Sequence, residues 1–510
     1  MEKFSDLKYK RPDFQSQKDK LLQLQKVMLQ SQSYEEIRNA WLEMKDSMYR
    51  FDFFEVFVYI KYTCCIDMEI YRPEVEILNP EIPKLDALQN ECNQILLHSS
   101  FISEFQEEFG PQIVKVMRSH QIQSNGEAKE LQAEEDHLNL EYLHLLALRG
   151  RTLEMNDQYY GILDRLIKIR TEIASQLGYS SYVDMAYKKN LRFDYGEKDL
   201  VIFRKQINQL FTPVCDEIHH SNAILDVNTL FDMETELIHA IQEMFSDISK
   251  ESGNYIKDII ENGYYDLANR PEKRSDNFSC SMLAHIKMPF TVGVYSNRSY
   301  DALMFIHELA HGYAFYTAAR TQKLYDYHRS TSSINEIHSK TMEHFAYPYL
   351  ERFVGNQKKD SIRYHLYRTF DNLPYRCAID EFEHAIYKDI DMSRKKRCEL
   401  WADIVHNYMP WVAINPDEIK NGTFWPNQSH LFTHPFYYIE YDVAQMSVFE
   451  FYERSKHNYQ ASWNDYNHLC HNGGSKGYLE LLKESNLLNP FSEDNVTKIC
   501  KPILEEFYSL

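Results

Sequence analysis

Between about residues 15 and 210, apolar residues recur three and four positions apart, as in "DKLLQLQKVMLQ" and "YGILDRLIKIRTEIASQLGY", in a stretch poor in glycine. That period buries one stripe of a helix and would scatter the same residues over both faces of a strand. This region is therefore a succession of amphipathic helices. Breaks fall at "NPEIPKLD" (79–86), "QSNGEAKE" (123–130) and "GYSSYVD" (178–184), where Ser or Asp can cap the helix that follows. The stretch 264–300 changes character, with Pro, Asn and Ser ahead of "PFTVGVY", which reads as a loop and a small strand. Helical spacing resumes over 300–412 and from 440 to the end, so the predicted class is mostly all-α.

Composition narrows what such a helical body can do. With only 15 Gly and 16 Pro in 510 residues, the chain should be folded throughout. Lys plus Arg number 56 against 76 Asp plus Glu, a formal charge of −20 that opposes nucleic-acid binding. Nine cysteines without CxxC spacing read as reduced thiols and fit a cytoplasmic location. The N-terminus has no apolar signal core, and "FDFFEVFVYI" is too short and too charged to span a bilayer, so no membrane partner is expected.

The chemistry gathers in "ALMFIHELAHGYAFY", residues 302–316. In HExxH on a helix, His307 and His311 share a face and can present two imidazole nitrogens to one metal ion, with Glu308 placed to take a proton from water. A catalytic zinc site needs a third protein ligand and an open position. "EIHSKTMEHF" supplies a candidate: Glu336, Ser339 and Glu343 fall at i, i+3 and i+7 on a second helix. Glu336 would ligate, and Ser339 or Glu343 would orient a ligand from behind. The alternative readings are a core helix with satisfied histidines and a solvated acidic face. Further on, "SHLFTHPFYYIEY" offers His430, Tyr438 and Tyr441 as donors toward a developing oxyanion, or else an aromatic packing strip.

"FIHELAHGYAFY" together with "NEIHSKTMEHFAYPYLERF" resembles the thimet oligopeptidase family of zinc peptidases, in its oligoendopeptidase F and Pz-peptidase branch. "LGYSSYVDMAYKKNLRFDY", "LPYRCAIDEFEHAIY", "FWPNQSHLFTHPFYYIEYDVAQMSVFEFY" and "HLCHNGGSKGYLELL" are similar to other blocks of that branch, so the resemblance runs collinearly over about 165–510. It implies a two-lobed, helical, zincin-like body with a deep substrate channel and a small β element near the site. It also implies one Zn²⁺ per chain on His307, His311 and Glu336, Glu308 as general base, and His430, Tyr438 and Tyr441 facing the metal. Residues 1–195 would then be an N-terminal helical region forming part of the channel wall, and 196–510 the catalytic region.

The implied activity is zinc-dependent cleavage of internal bonds in short unstructured peptides, since no cluster suited to reading a peptide terminus is evident. Zinc over manganese or cobalt rests on the His₂Glu donor set and the family. A peptide-binding protein without activity and a zinc carboxypeptidase are the competing readings.

Several positions depart from the branch or stay open. Ala310 stands where Gly is usual, and Ser275, Asp276, Asn277 and Phe278 replace glycines in a stretch that would hold the substrate backbone. The N-terminal region also looks shortened. His434 competes with His430, Glu381 and His384 form an ExxH that could bind a second metal, and Gly473–Gly474 reads as a flexible turn beside the substrate path.

Overall fold

The computed structural model describes residues 2–124, 128–147, 153–221, 223–231, 233–270, 273, 279–415 and 428–510. Helices dominate, and their starts follow the chemistry of the sequence. Asp13, Ser33, Ser181, Ser249, Ser393 and Asn458 each accept a hydrogen bond from a first-turn N–H, which satisfies a backbone donor that the helix itself cannot. Ser181 is the cap expected from "GYSSYVD", opening the helix Tyr182–Lys189. The break at 79–86 separates the helices Met68–Leu78 and Ile82–Leu97.

Where one strand was expected, there are three: β1 (Tyr265–Asp266), β2 (Ser279–Leu283) and β3 (Met288–Val292), in the order β1-β3-β2. β3 pairs parallel to β1 and antiparallel to β2, with Cys280 opposite Thr291 and Ser281 opposite Phe290. β3 is buried at all five positions, so its apolar run is visible in sequence. β1 and β2 carry no such run and are held by pairing to β3. Among the described residues, one edge of β2 is unpaired. Ser275 to Phe278, the positions that replace the glycines, lie outside the described residues.

The HExxH helix, Ser299–Thr321, packs against this sheet and against the helix Ser332–Phe345 that carries Glu336. That second helix packs in turn on Glu440–His457. The HExxH helix is apolar on all sides and buried along almost its whole length, as a helix in the middle of a large body must be. Ala310 is fully buried. Space is tightest at Gly312, where a Cβ would meet Tyr255 Oη at 2.4 Å and Pro289 Cγ at 3.0 Å.

One core runs from Phe4 to Phe507, and a second, around Trp41, Met44, Leu85 and Phe105, reaches Leu324 and Tyr327. The segment 324–328 is thereby tied to the N-terminal helices. The buried Lys45–Asp326 pair at 2.7 Å and the bond from Tyr327 Oη to Phe109 O, also 2.7 Å, secure it. All nine cysteines are unpaired, and among the described residues no helix is long and apolar enough to cross a membrane.

Gly473 and Gly474 form a close backbone approach to this segment, where the sequence suggested a flexible turn. Gly473 has φ +51°, and a Cβ there would stand 1.9 Å from Tyr327 O; at Gly474 it would stand 2.1 Å from Arg329 O. Gly473→Ala is expected to cost on the order of 3 kcal/mol from overpacking and left-handed strain, read as a lowered urea midpoint. A midpoint equal to that of the unsubstituted protein would refute the close approach.

Candidate active site

The HExxH helix points His307, Glu308 and His311 toward the first turns of the Ser332–Phe345 helix, where Glu336 meets them. One ligand atom from each of His307, His311 and Glu336 lies within 4.8 Å of the others, and no other such group of three occurs among the described residues. His307 Nε2 is 3.1 Å from His311 Nε2 and 3.6 Å from Glu336 Oε2, while His311 Nε2 is 4.0 Å from Glu336 Oε1. Two atoms bound tetrahedrally at zinc distances would sit about 3.4 Å apart, so the spacings bracket what one ion needs.

The second-row residues fix those orientations. His307 Nδ1 donates to Glu343 Oε1 at 2.5 Å, which leaves its Nε2 lone pair facing His311 and Glu336. Glu343 Oε2 accepts from His365 Nε2, also at 2.5 Å, and His365 Nδ1 meets Tyr347 Oη at 2.6 Å. Ser339 Oγ donates to Glu336 Oε2 at 3.3 Å. His365 and Tyr347 extend a relay that sequence reasoning missed, because neither stands at a helical interval from the ligands.

Charge tells the same story. Burial alone would lower the His307 pKa, but Glu343, Glu336 and Glu308 reverse that and push it up to about 9. Burial, with His307 beside it, drives His311 well down. Burial lifts the Glu308 carboxyl to about 7, with His307 pulling it down and the Glu336 and Glu343 charges adding to the rise. Three carboxylates around two imidazoles thus call for a cation at their centre. The donor set, the spacing and the charge all fit a divalent metal ion.

A cavity of about 550 Å³ opens at this point, lined by Glu308, His311 and Glu336, by Cys280 and Met282 of β2, and by Glu55 from the helix Tyr34–Thr63. A neighbouring cavity of about 760 Å³ shares Ser330 and Tyr437 with it and carries His430 and His434. Of the expected donors, His430 lines the second cavity, whereas Tyr438 and Tyr441 line neither. His430 stacks on Tyr438 at 4.6 Å and bonds to Gln428 Nε2 at 2.8 Å, facing the second cavity. Tyr438 packs edge-on to Tyr375 and under Arg376.

Tyr441 lies 5.6 Å, ring to ring, from Tyr437. Burial, then the charge of Glu336, raises both tyrosines, Tyr437 to about 12, so both hydroxyls stay protonated as donors. Tyr437 borders both cavities and was not singled out in the sequence. It lies ahead of the helix Glu440–His457 that carries Tyr441, so helical spacing could not have found it.

Glu381 and His384 do not form a second metal site. Glu381 accepts from Tyr408 Oη at 2.7 Å, and His384 Nε2 meets Tyr187 Oη at 2.8 Å.

Residues 227–499 match Peptidase family M3, and residues 4–122 match the Peptidase M3 N-terminal domain. No curated protein sequence matches the chain. Among solved structures, a protein assigned as an oligoendopeptidase F superposes with TM-score 0.87 at 25% identity, and Pz peptidase A with a bound inhibitor does so with TM-score 0.87 at 26% identity. Each comparison covers 100% of this chain and 99% of the other. A third, assigned as an oligoendopeptidase F from Bacillus anthracis str. Ames, has TM-score 0.83 at 24% identity, with the same coverage.

Proposed function

Because the chain belongs to peptidase family M3, in its oligoendopeptidase F and Pz-peptidase branch, and is a metalloendopeptidase, we propose that it is a zinc-dependent oligoendopeptidase acting on short unstructured peptides. The observation that carries this reading is the convergence of His307, His311 and Glu336, with His311, Glu336 and Glu308 lining one cavity. His307, His311 and Glu336 would hold one zinc ion per chain. Zinc bound there supplies a Lewis acid for the scissile carbonyl and makes water easier to deprotonate.

The protein's own groups do the rest. Glu308 takes the proton of the attacking water and returns it to the leaving amine. Tyr437 and Tyr441, kept neutral by burial, donate to the developing oxyanion, with Tyr438 and His430 shaping the wall behind them. The free edge of β2, whose residues 280–282 line the cavity, offers backbone groups to an extended peptide.

The division into an N-terminal wall, 1–195, and a catalytic region, 196–510, is proposed on the same basis, with the Tyr34–Thr63 helix facing the catalytic helices across the cavity. A cytoplasmic location is proposed from the unpaired cysteines.

A mixed peptide pool digested with and without chelator, then with zinc restored, tests the reading by mass spectrometry. Internal cleavage that stops on chelation and returns with zinc is expected. Activity that survives full chelation would overturn it, and release of single C-terminal residues would make the protein a carboxypeptidase. Glu343→Ala is expected to weaken zinc binding about 10–100-fold by freeing the His307 ring. Competition against a chromophoric chelator measures this, and unchanged affinity would remove Glu343 from its role.

A further inference from the structure

Next to the cavity of Glu308 lies another, of about 510 Å³, which shares Glu55, Met282, His328 and Arg329 with it. Asp52 and Glu55 of the Tyr34–Thr63 helix line it, and Asp86 stands near enough for its charge to act on both. None of these three carboxylates has an ion-pair or hydrogen-bond partner among the described residues. Lys45, the buried lysine beside them, is committed to Asp326 at 2.7 Å. Arg329 is exposed, lines the same space and makes no ion pair among the described residues.

The facing wall is also short of partners. His328 is 4% exposed, and its Nε2 can only donate to the carbonyl of Gln322 at 3.3 Å, so its Nδ1 is a bare acceptor, and that atom is buried without a partner. Burial holds the ring neutral, at about 4. Ser330 Oγ and Thr331 Oγ1, in side chains nine-tenths buried, are likewise unpartnered and line the same space. Thr331 precedes the Ser332–Phe345 helix, yet its hydroxyl does not cap it. A recess with two carboxylates, a lone-pair nitrogen and two idle hydroxyls lacks one thing, a cationic group rich in N–H donors.

We propose that Asp52, Glu55 and His328 form a subsite for a positively charged group of the peptide, either a lysine or arginine side chain or the free amino terminus. This rests on the peptidase reading of the adjoining site.

The test uses internally quenched peptides in which lysine or norleucine is scanned through each position, with free and acetylated amino termini. The unsubstituted protein is expected to favour lysine at one position, or the free terminus, on the order of tenfold in kcat/KM, as one well-placed charge pair can supply. In the Asp52→Asn/Glu55→Gln double variant that ratio falls to about one, through KM. Equal rates for charged and neutral peptides at every position, or a ratio unchanged in the variant, would overturn the proposal. If zinc-loaded protein cleaves none of the peptides, the peptidase reading fails separately. Fluorescence anisotropy with the same peptides then decides the recess, a charge-dependent affinity lost in the variant supporting it and its absence overturning it.

Stability gives an independent readout. Burial, then the charge of Asp86, raises Asp52 and Glu55 to about 7, with Glu55 adding to the rise at Asp52; Arg329 opposes it at both and Lys45 at Asp52. These carboxyls hold protons more tightly in the fold than in the unfolded chain, so they cost stability as pH rises from near 4 to about 7. The double variant should therefore melt higher than the unsubstituted protein at pH 8 and lose that advantage by pH 4.5. A lower Tm at pH 8 would mean that the two carboxylates are satisfied in the fold, which refutes the recess.

Discussion

Glu308→Gln is expected to lower kcat for peptide hydrolysis by about 10²–10⁴-fold, the range a positioned general base contributes, while metal content stays at that of the unsubstituted protein. Gln keeps the size of the side chain and its place on the helix but cannot accept and then return a proton. The ligand atoms of His307, His311 and Glu336 converge without Glu308, so metal retention is the control that separates lost chemistry from a lost site. The setting enforces dependence on this one carboxyl. It is half-buried beside Glu336 and Glu343; Glu336 accepts from Ser339, and Glu343 from His307 and His365. Quenched-peptide assays with metal analysis on the same preparation measure both quantities. A variant that kept full zinc and more than about a tenth of the activity would show that another group moves the proton.

How far the sequence led can be argued residue by residue. His307, Glu308 and His311 were legible because helical spacing alone puts them together, and Glu336 through the resemblance of its helix-borne ExxSxxxE pattern to that of the family. The helices were legible for the same local reason. What escaped was non-local. β2 is a strand through its pairing to β3, and nothing in "SCSML" announces it. His365 joins Glu343 from another helix, and the Gly473–Gly474 turn is explained by backbone atoms of Tyr327 and Arg329 more than 140 residues away. The choice of Tyr438 over Tyr437 shows the same limit. Both stand in the irregular stretch between the helices Ser429–Thr433 and Glu440–His457, where no periodicity sets direction, and only the fold shows that Tyr437 borders the cavity that holds Glu308.

Tyr437 follows a residue held under strain, and this leads to the second large effect. Phe436 has φ +64°, a left-handed conformation that costs a bulky residue about 1–2 kcal/mol. Buried side chains pin it at both ends: its N–H donates to Glu383 Oε1 at 3.0 Å, and its carbonyl accepts from Arg192 Nη2 at 2.7 Å. Arg192 also pairs with Glu440, donating through Nε at 2.8 Å, and Glu440 accepts from Tyr195 Oη at 2.7 Å and from Ser333 Oγ. Ser333 opens the helix of Glu336, so one buried carboxylate joins the 192–195 segment, the Glu336 helix and the Tyr441 helix.

Arg192→Met removes the only cation bonded to Glu440 among the described residues and should cost about 3–5 kcal/mol, since the remaining charge is buried without compensation. It should also let Phe436 relax out of its strained conformation and lower kcat, because Tyr437 is carried on the next peptide unit. If the cost is the orphaned charge, Arg192→Met/Glu440→Leu should recover most of the stability lost in the single variant, as an apolar pair replaces an ionic one. It should leave kcat low, since the bond to the Phe436 carbonyl is still missing. Urea midpoints and peptide assays on both variants separate the two effects. Recovery of kcat together with stability would show that Arg192 serves folding alone and that Glu383 suffices to hold Phe436 in place.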